Sequence, residues 1–346
     1  MPVEEPSTAS IADIPFPTLS SASKSRYNFN PNNLGEVGMK IAAIQATPVY
    51  LNPEKTAEKA LGLMAEVAKE GAELCAFPEV FLAGYPIWLP AQASSMDEGL
   101  RKECFSKYLD AAVDPDGPEL VAIAEQAKKL GLFTYIGFVE RARSQGTVFC
   151  SLAAIHPEKG IVSIHRKLKP TFFERMAWGD GDGHGLQVHP WKDFRVGGLN
   201  CFENWQPLPR QTLYAQGEQL HVMVWPGRPT HHICGQFVAM EGRVYVLSVA
   251  GVMEEKDVPG DFPAKGLDLD KGLEPLTGGS TIFGPDGDIV AGPLESQEAI
   301  LYADIDVKRV NEERMRLDPA GHYGRPDVFH LKVDRKRHEH FYEANE

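Results

Sequence analysis

Residues 196–205 read Val-Gly-Gly-Leu-Asn-Cys-Phe-Glu-Asn-Trp, an apolar strand that runs into a cysteine, after which the chain turns polar and helical. Cys201 is therefore the candidate nucleophile. Where a strand ends and a helix begins, unpaired backbone N–H groups and the positive end of the helix dipole are expected to favour thiolate over thiol. The same N–H groups, beginning with that of Phe202, are candidates for holding an oxyanion. Gly197 and Gly198 have no Cβ and are expected to let a backbone or a substrate come close behind the sulfur. A lone cysteine in an apolar strand is more often a packed core residue. The assignment therefore needs support from elsewhere in the chain.

Two other strand ends supply it. Residues 76–81, Ala-Phe-Pro-Glu-Val-Phe, put the carboxylate of Glu79 just past the apolar run 74–77. Residues 164–175, Ile-His-Arg-Lys-Leu-Lys-Pro-Thr-Phe-Phe-Glu-Arg, end another strand on Lys167 and carry Glu174 in the segment that follows. Taken singly, each is an ordinary capping or surface charge. In the order Glu, Lys, Cys and with these flanks, they resemble the catalytic set of the nitrilase superfamily, the carbon–nitrogen hydrolases. The resemblance runs from about residue 40 to about residue 329. Its details lean toward the nitrilase branch: Phe-Pro-Glu-Val-Phe at 77–81 followed by Gly-Tyr-Pro at 84–86, His-Arg-Lys-Leu-Lys-Pro-Thr at 165–171 followed by Trp-Gly-Asp-Gly-Asp-Gly at 178–183, and Asp-Pro-Ala-Gly-His-Tyr-Gly-Arg-Pro-Asp at 318–327. One departure is Phe202, where nitrilases usually carry Trp. It keeps an aromatic wall and loses the indole N–H.

The resemblance implies an α/β fold, the four-layer α-β-β-α sandwich of the superfamily. It also implies roles. Cys201 would add to the electrophilic carbon, Glu79 would take the thiol proton and return one to nitrogen, and Lys167 would sit over the developing negative charge. Glu174 would hold the lysine and align water. Neither a metal nor an organic cofactor is required. Tyr85, Trp88, Phe202 and Trp205 are candidates for an aromatic substrate wall, which would favour an uncharged nitrile with an aryl or alkyl body. The same four groups would cleave an amide, so an amidase, a carbamoylase or a cyanide-hydrating relative is the alternative to a nitrilase. A non-catalytic scaffold is disfavoured because Cys, Glu and Lys are all present, and a serine hydrolase because no G-x-S-x-G elbow occurs. Nitrilases assemble through paired dimers. A homo-oligomer, dimer-based and up to an extended spiral, follows.

Composition bounds the rest. A chain of 346 residues with 43% hydrophobic and 24% charged residues can bury one large α/β core or two smaller ones. A net charge of -13 argues against nucleic acid or an anionic membrane as partner. The basic run 334–338 reads as a solvated tail or a subunit contact. Five cysteines, at 75, 104, 150, 201 and 234, follow no disulfide or zinc spacing and suit a reducing cytoplasm. His231, His232 and Cys234 hint at metal without the partners that would complete a site, and the glycines of 179–185 lack the spacing of a phosphate or calcium loop. No secretion signal and no apolar run of membrane-spanning length is present.

In order, residues 1–38 read as an extended or disordered arm, 39–330 as the hydrolase domain, and 331–346 as a tail suited to a subunit contact through Phe341 and Tyr342. Within the domain, 40–46 is a strand, and Asn52 caps a helix that opens on Pro53 and ends at Gly71. Strand 73–77 then delivers Glu79. Residues 82–113 read as loops and short helices over the site, 118–130 as a helix, 132–139 as a strand, and 148–155 with 161–168 as a hairpin ending on Lys167. Beyond Cys201, helix 208–215, strand 220–225, helix 232–241 and strand 244–249 form a second series. Residues 251–277 read as a polar surface excursion, 280–283 with 289–291 as a hairpin, and 300–305 as one more strand.

Overall fold

The first strand–helix–strand unit forms where the sequence puts it. The computed structural model describes residues 38–89, 96–227, 231–265 and 276–339. Strand β1 (Gly38–Gln45) leads to helix α1 (Pro53–Lys69) and on to β2 (Leu74–Ala76). The Asn52 side chain accepts the Lys55 N–H at 3.0 Å, and Pro53 opens α1 where a missing N–H costs nothing. Ala57, Ala60, Met64 and Val67 line the buried face of α1. Helix α3 (Pro118–Leu130) lies against it, burying Leu120, Ile123 and Ala127, and stops at Gly131 in the left-handed region. The arm expected at 1–38 falls outside the described residues except for Gly38, which opens β1; Phe341 and Tyr342 fall outside them too.

Among the described residues the strands form two sheets. The first has the order β13-β1-β2-β3-β4-β5, with β3 (Phe133–Arg141), β4 (Val148–His156), β5 (Gly160–Arg166) and β13 (Ala299–Asp306). The second runs β10-β11-β9-β8-β7-β6, with β6 (His189–Trp191), β7 (Phe194–Asn200), β8 (Leu220–Trp225), β9 (Tyr245–Ala250), β10 (Val252–Met253) and β11 (Leu276–Phe283); β12 (Ile289–Glu295) pairs with β11. Helices α4 (Pro207–Tyr214) and α5 (His231–Gly242) follow β7 and β8. Side chains alternate along each strand. In β1, Ile41 and Ala43 meet Val196, Val222, Leu247 and Ile282 of the other sheet, while Ala42 and Ile44 face α1 and α3. Met223, Trp225 and Val246 turn away from that inter-sheet core toward Cys234, Val238 and Ala239 of α5. The layers are therefore helix, sheet, sheet, helix. The central strands are covered on both faces, which is why strands such as 148–156 read as near-continuous apolar runs.

Two segments depart from expectation, and a third, the basic run expected as a solvated tail or subunit contact, is mostly exposed but tied to the body of the chain. Residues 98–110 form a single helix, α2 (Glu98–Asp110), where loops and short helices were expected; only Cys104 and Tyr108 of it are buried, so its apolar residues draw no face in the sequence. The excursion at 251–277 contributes β10 and the first residues of β11, and it buries Val258, Phe262 and Ala264, with Phe262 edge-on to Tyr50 at 5.7 Å. The basic run at 334–338 lies against the chain's own glycine-rich loop. Arg337 donates to the Ile164 carbonyl at 2.6 Å, the His338 N–H donates to Asp182 at 3.0 Å, and Arg335 donates to the Leu186 carbonyl at 2.7 Å. Among the described residues no helix is long and apolar enough to cross a membrane.

The segment after β2 packs on β3 at Gly137, whose carbonyl accepts the Leu82 N–H at 3.0 Å. A Cβ there would land on the Pro78 carbonyl oxygen and the Val80 nitrogen, and 2.8 Å from the Glu79 carbonyl carbon. Backbone atoms cannot step aside as a flexible side chain would. Gly137→Ala is expected to cost roughly 2 kcal/mol or more in urea denaturation. Unchanged stability would show that the Glu79 segment does not rest on β3 in this way.

Candidate active site

Four side chains from three strand ends meet between the sheets. Glu79 follows β2 in a sharp turn: Val80 takes φ 45, a value β-branched residues avoid, and the Glu79 N–H reaches the Trp225 carbonyl at the end of β8. Lys167 follows β5, with its N–H donating to the Cys150 carbonyl at 2.8 Å. Glu174 sits in a 3-10 turn, Phe172–Met176, where its carboxylate accepts the Thr171 N–H at 2.6 Å. Cys201 follows β7 and has φ 45. The sulfur and one carboxylate oxygen each of Glu79 and Glu174 lie within 4.8 Å of one another. Lys167 Nζ donates to Glu79 Oε1 at 2.9 Å and to Glu174 Oε2 at 2.7 Å. All four side chains belong to residues no more than 3% exposed.

The strained turn at Cys201 is held from behind. Asn204 Nδ2 donates to the Cys201 carbonyl at 2.8 Å, His221 Nε2 is 2.7 Å from Asn204 Oδ1, and His221 Nδ1 is 2.9 Å from Glu218. Glu203 is fully buried and ties the two sheets together: it accepts the Leu168 N–H at 2.6 Å beside the lysine and the Asn200 N–H at 3.0 Å beside the cysteine, and it pairs with His165. Behind the sulfur, a Cβ on Gly197 would strike the Glu218 carboxylate, and Gly198 abuts Leu152 and Tyr135 of the facing sheet. The space those glycines leave is thus filled by protein, with the Val222 backbone carbonyl also close to Gly198, as expected of a second backbone.

Burial sets the electrostatics. It raises the Glu79 carboxyl; Lys167 pulls it back down, Glu174 pushes it up again, and the balance stands at about 7. Burial opposes the Lys167 charge, but the anionic groups around it outweigh that effect and hold the ammonium well above the usual lysine range. The Cys201 thiol is pushed well up, first by burial and then by Glu79, against the pull of Lys167 and of the Phe202 N–H. The expectation of a resting thiolate is therefore corrected. The element after Cys201 is a 3-10 turn of five residues, Cys201–Trp205, too short to carry a large dipole, and two carboxylates share the cavity.

The expected aromatic wall is dispersed. Tyr85 reaches the site, donating its hydroxyl to Glu174 Oε1 at 2.9 Å with its ring edge-on to Trp178. Trp88 is 1% exposed and packs edge-on to Tyr108, in the apolar cluster that also holds Cys150, Trp178, Met253 and Leu276, but it does not line the pocket beside Glu79. Phe202 and Trp205 are 48% and 42% exposed. Instead, a narrow pocket beside Glu79 is lined by Pro48, Pro78, Phe81, Tyr85, Val252, Met253 and Leu276. It shares Pro48, Val252, Met253 and Leu276 with a cleft of about 600 Å³ bordered by Lys59, Lys256, Asp257 and Glu298. Sequence reasoning missed Cys150, whose thiol donates to Glu79 Oε1 at 3.4 Å, because nothing distinguishes it in an apolar strand. It also missed Glu203, although a Glu three residues after Asn200 is a capping-box signal. His231 and His232 both turn toward the Gly279 carbonyl.

Known proteins resemble this chain over most of its length. Residues 40–315 match the carbon–nitrogen hydrolase family model. The chain is 38% identical to Nitrilase 2 of an unknown prokaryotic organism, over 87% of this chain and 93% of that one. It is also 38% identical to Nitrilase blr3397 of Bradyrhizobium diazoefficiens, over 85% and 92%. Among solved structures, Saccharomyces cerevisiae Nit3, a member of branch 10 of the nitrilase superfamily, superposes with a TM-score of 0.63 at 16% identity, covering 83% of this chain and 97% of that one, and so shares its fold.

A thiol held protonated beside a carboxyl that titrates near neutrality has a recognisable reactivity. Alkylation of Cys201 by iodoacetamide is expected to accelerate as pH rises through about 7, where Glu79 ionises and can accept the proton. In Glu79→Gln that step should vanish, leaving only the alkaline rise of the thiol itself. Identical profiles for the two proteins would refute the coupling.

Proposed function

The chain belongs to the carbon–nitrogen hydrolase family, and we propose that it is a nitrilase, converting an organic nitrile to the carboxylic acid and ammonia. The observation that carries this reading is the convergence of a cysteine sulfur and two carboxylates within 4.8 Å, with a buried ammonium bridging the carboxylates.

In this scheme Cys201 Sγ attacks the nitrile carbon as Glu79 removes the thiol proton, and the same carboxyl delivers that proton to nitrogen, giving a thioimidate. Water adds to the thioimidate carbon, and the tetrahedral adduct expels ammonia to leave a thioester. A second water releases the acid and returns the proton to sulfur. Lys167 stays charged throughout and stabilises the negative charge that each addition develops. Glu174, fixed by Thr171, Tyr85 and Lys167, holds the ammonium in place and is positioned to orient the incoming water. No step calls on a metal or an organic cofactor. The same groups would open an amide, so an amidase, carbamoylase or cyanide-hydrating activity is the second reading. What favours the nitrile is the relatives bearing the name nitrilase, which this chain covers over more than nine tenths of their length.

The pocket beside Glu79 has room for only about 10 Å³, but its apolar residues Pro48, Val252, Met253 and Leu276 continue into the cleft of about 600 Å³, where they suit an aryl or alkyl body on an uncharged nitrile. Burying such a body contributes on the order of 1.5–3 kcal/mol, or roughly ten- to a hundredfold in kcat/KM where the contacts persist in the transition state. The assembly we infer is a dimer-based homo-oligomer, up to an extended spiral. Ile233, Phe237 and Met240 form an exposed apolar stripe along α5, with exposed Leu208 on neighbouring α4. A cytoplasmic location suits the five cysteines, which are all free.

Two sets of measurements test this. In a panel of nitriles against matching amides, an arylacetonitrile or medium-chain aliphatic nitrile should release ammonia faster than acetonitrile, free cyanide or any amide. Cys201→Ala should abolish release with the fold intact, and Met253→Trp should cut the larger nitriles about tenfold more than acetonitrile. Preference for amides, or formamide accumulating from cyanide, would select the second reading. Light scattering should give a particle well above the 38.2 kDa of one chain, reduced by Ile233→Asp with Phe237→Asp. A monomer at every concentration would refute the assembly.

A further inference from the structure

Cys150 lies on β4, and its only conspicuous property in the sequence is that it is small enough for a crowded strand. In three dimensions it touches the reaction centre twice. Its carbonyl accepts the Lys167 N–H at 2.8 Å, and its thiol donates to Glu79 Oε1 at 3.4 Å, a hydrogen-bond distance for sulfur. The same Oε1 accepts Lys167 Nζ at 2.9 Å. Glu79 Oε2, by contrast, is buried and has no hydrogen-bond partner among the described residues. One oxygen of this carboxylate is thus saturated by two donors from the lysine side of the site, and the other is left open.

We propose that Cys150 is a positioning residue that, by engaging Oε1 together with Lys167, fixes the Glu79 carboxylate so that Oε2 exchanges the proton with Cys201 and with the substrate nitrogen. The inference rests on the reading of Glu79 as the proton-transfer group. A carboxylate held by Lys167 alone can rotate about its terminal torsion, a broad and soft coordinate, and present either oxygen. A second donor on the same oxygen removes that freedom. Pre-orientation matters because proton transfer needs the heavy atoms within hydrogen-bond reach at the moment of attack.

Cys150 is also suited to remain a donor. Burial, followed by the neighbouring Glu79, raises its thiol well above the usual range, so it keeps its proton while Glu79 titrates. The groups that bear on Glu79 come from several neighbouring elements: Lys167 and Cys150 from the first sheet, Glu174 of the 3-10 turn, Cys201 from the second sheet, Tyr85 of the segment after β2, and Tyr108 of α2. Among them Cys150 and Lys167 are the two whose bonds favour the charged carboxylate. Removing the thiol must therefore move the Glu79 titration upward, and replacing it by a stronger donor must not.

The test is the pH dependence of kcat/KM for the full chain with its best nitrile, in wild type, Cys150→Ala, Cys150→Ser and Glu79→Gln, with thermal melts alongside. Wild type should show an acidic limb near 7, rising with pH because the ionised form is the active one. In Cys150→Ala the limb should move up by roughly 0.4 to 1 unit, the size of one lost hydrogen bond, with kcat lowered and KM little changed. Cys150→Ser, whose hydroxyl is the better donor, should bring the limb back to the wild-type position or below. A limb that stays put in Cys150→Ala while the melting temperature falls would make Cys150 mere packing and overturn the inference alone. A Glu79→Gln variant that keeps its rate would overturn the reading of Glu79 and this inference with it.

Discussion

The ammonium of Lys167, clasped by Glu79 at 2.9 Å and Glu174 at 2.7 Å, is the constraint around which the site is built. Three charged groups out of water cost several kcal/mol each unless geometry and additional donors compensate. The compensation is visible. Thr171 and Tyr85 donate to Glu174, Cys150 donates to Glu79, and the Trp178 ring lies 5.3 Å from the ammonium. Trp178 is in turn fixed by its indole N–H on Tyr108, whose hydroxyl reaches the Gly84 carbonyl. The aromatic residues near this cluster therefore serve the charges as much as any substrate.

Delivering the groups from separate strands demands that two sheets hold a common register. Glu79 and Lys167 come from the first sheet and Cys201 from the second. The apolar core between the sheets supplies the adhesion, but it is non-directional and would tolerate a small slide. Directional links at the strand ends remove that freedom. The Glu79 N–H meets the Trp225 carbonyl, and the Glu203 carboxylate accepts one N–H beside Lys167 and another beside Cys201. Positive φ at Val80, Phe172 and Cys201 shows strain gathered at the segments that present Glu79, Glu174 and the sulfur.

Much of this was legible in the sequence. Strand ends could be placed because apolar runs stop at Glu79, Lys167 and Cys201, and the layered fold followed from strand–helix–strand order together with a family resemblance. What escaped was whatever depends on three-dimensional juxtaposition. A cysteine inside an apolar strand gives no sign that its thiol faces a carboxylate, and Trp88 reads the same whether it walls a pocket or packs on Tyr108. Helix α2 hid because its buried side is only two residues. The pocket wall of Val252, Met253 and Leu276 hid inside a segment whose composition is that of a surface loop.

The misjudged state of Cys201 bears on how such a site works. A resting thiolate beside two carboxylates would add a third anion to a cavity with one cation, and burial penalises that arrangement more than it would at a surface. The cavity instead keeps the sulfur protonated and raises Glu79 to about 7, so that a carboxylate able to accept the proton is populated near neutrality. An uncharged nitrile then meets an uncharged thiol, and the negative charge that attack creates appears on substrate atoms rather than on sulfur. Because Glu79 loses its charge as it takes the proton, the attraction of Lys167 shifts from that carboxylate to the substrate atoms where charge develops. An interaction that strengthens along the reaction path lowers the barrier, whereas one already satisfied in the resting state would only tighten binding.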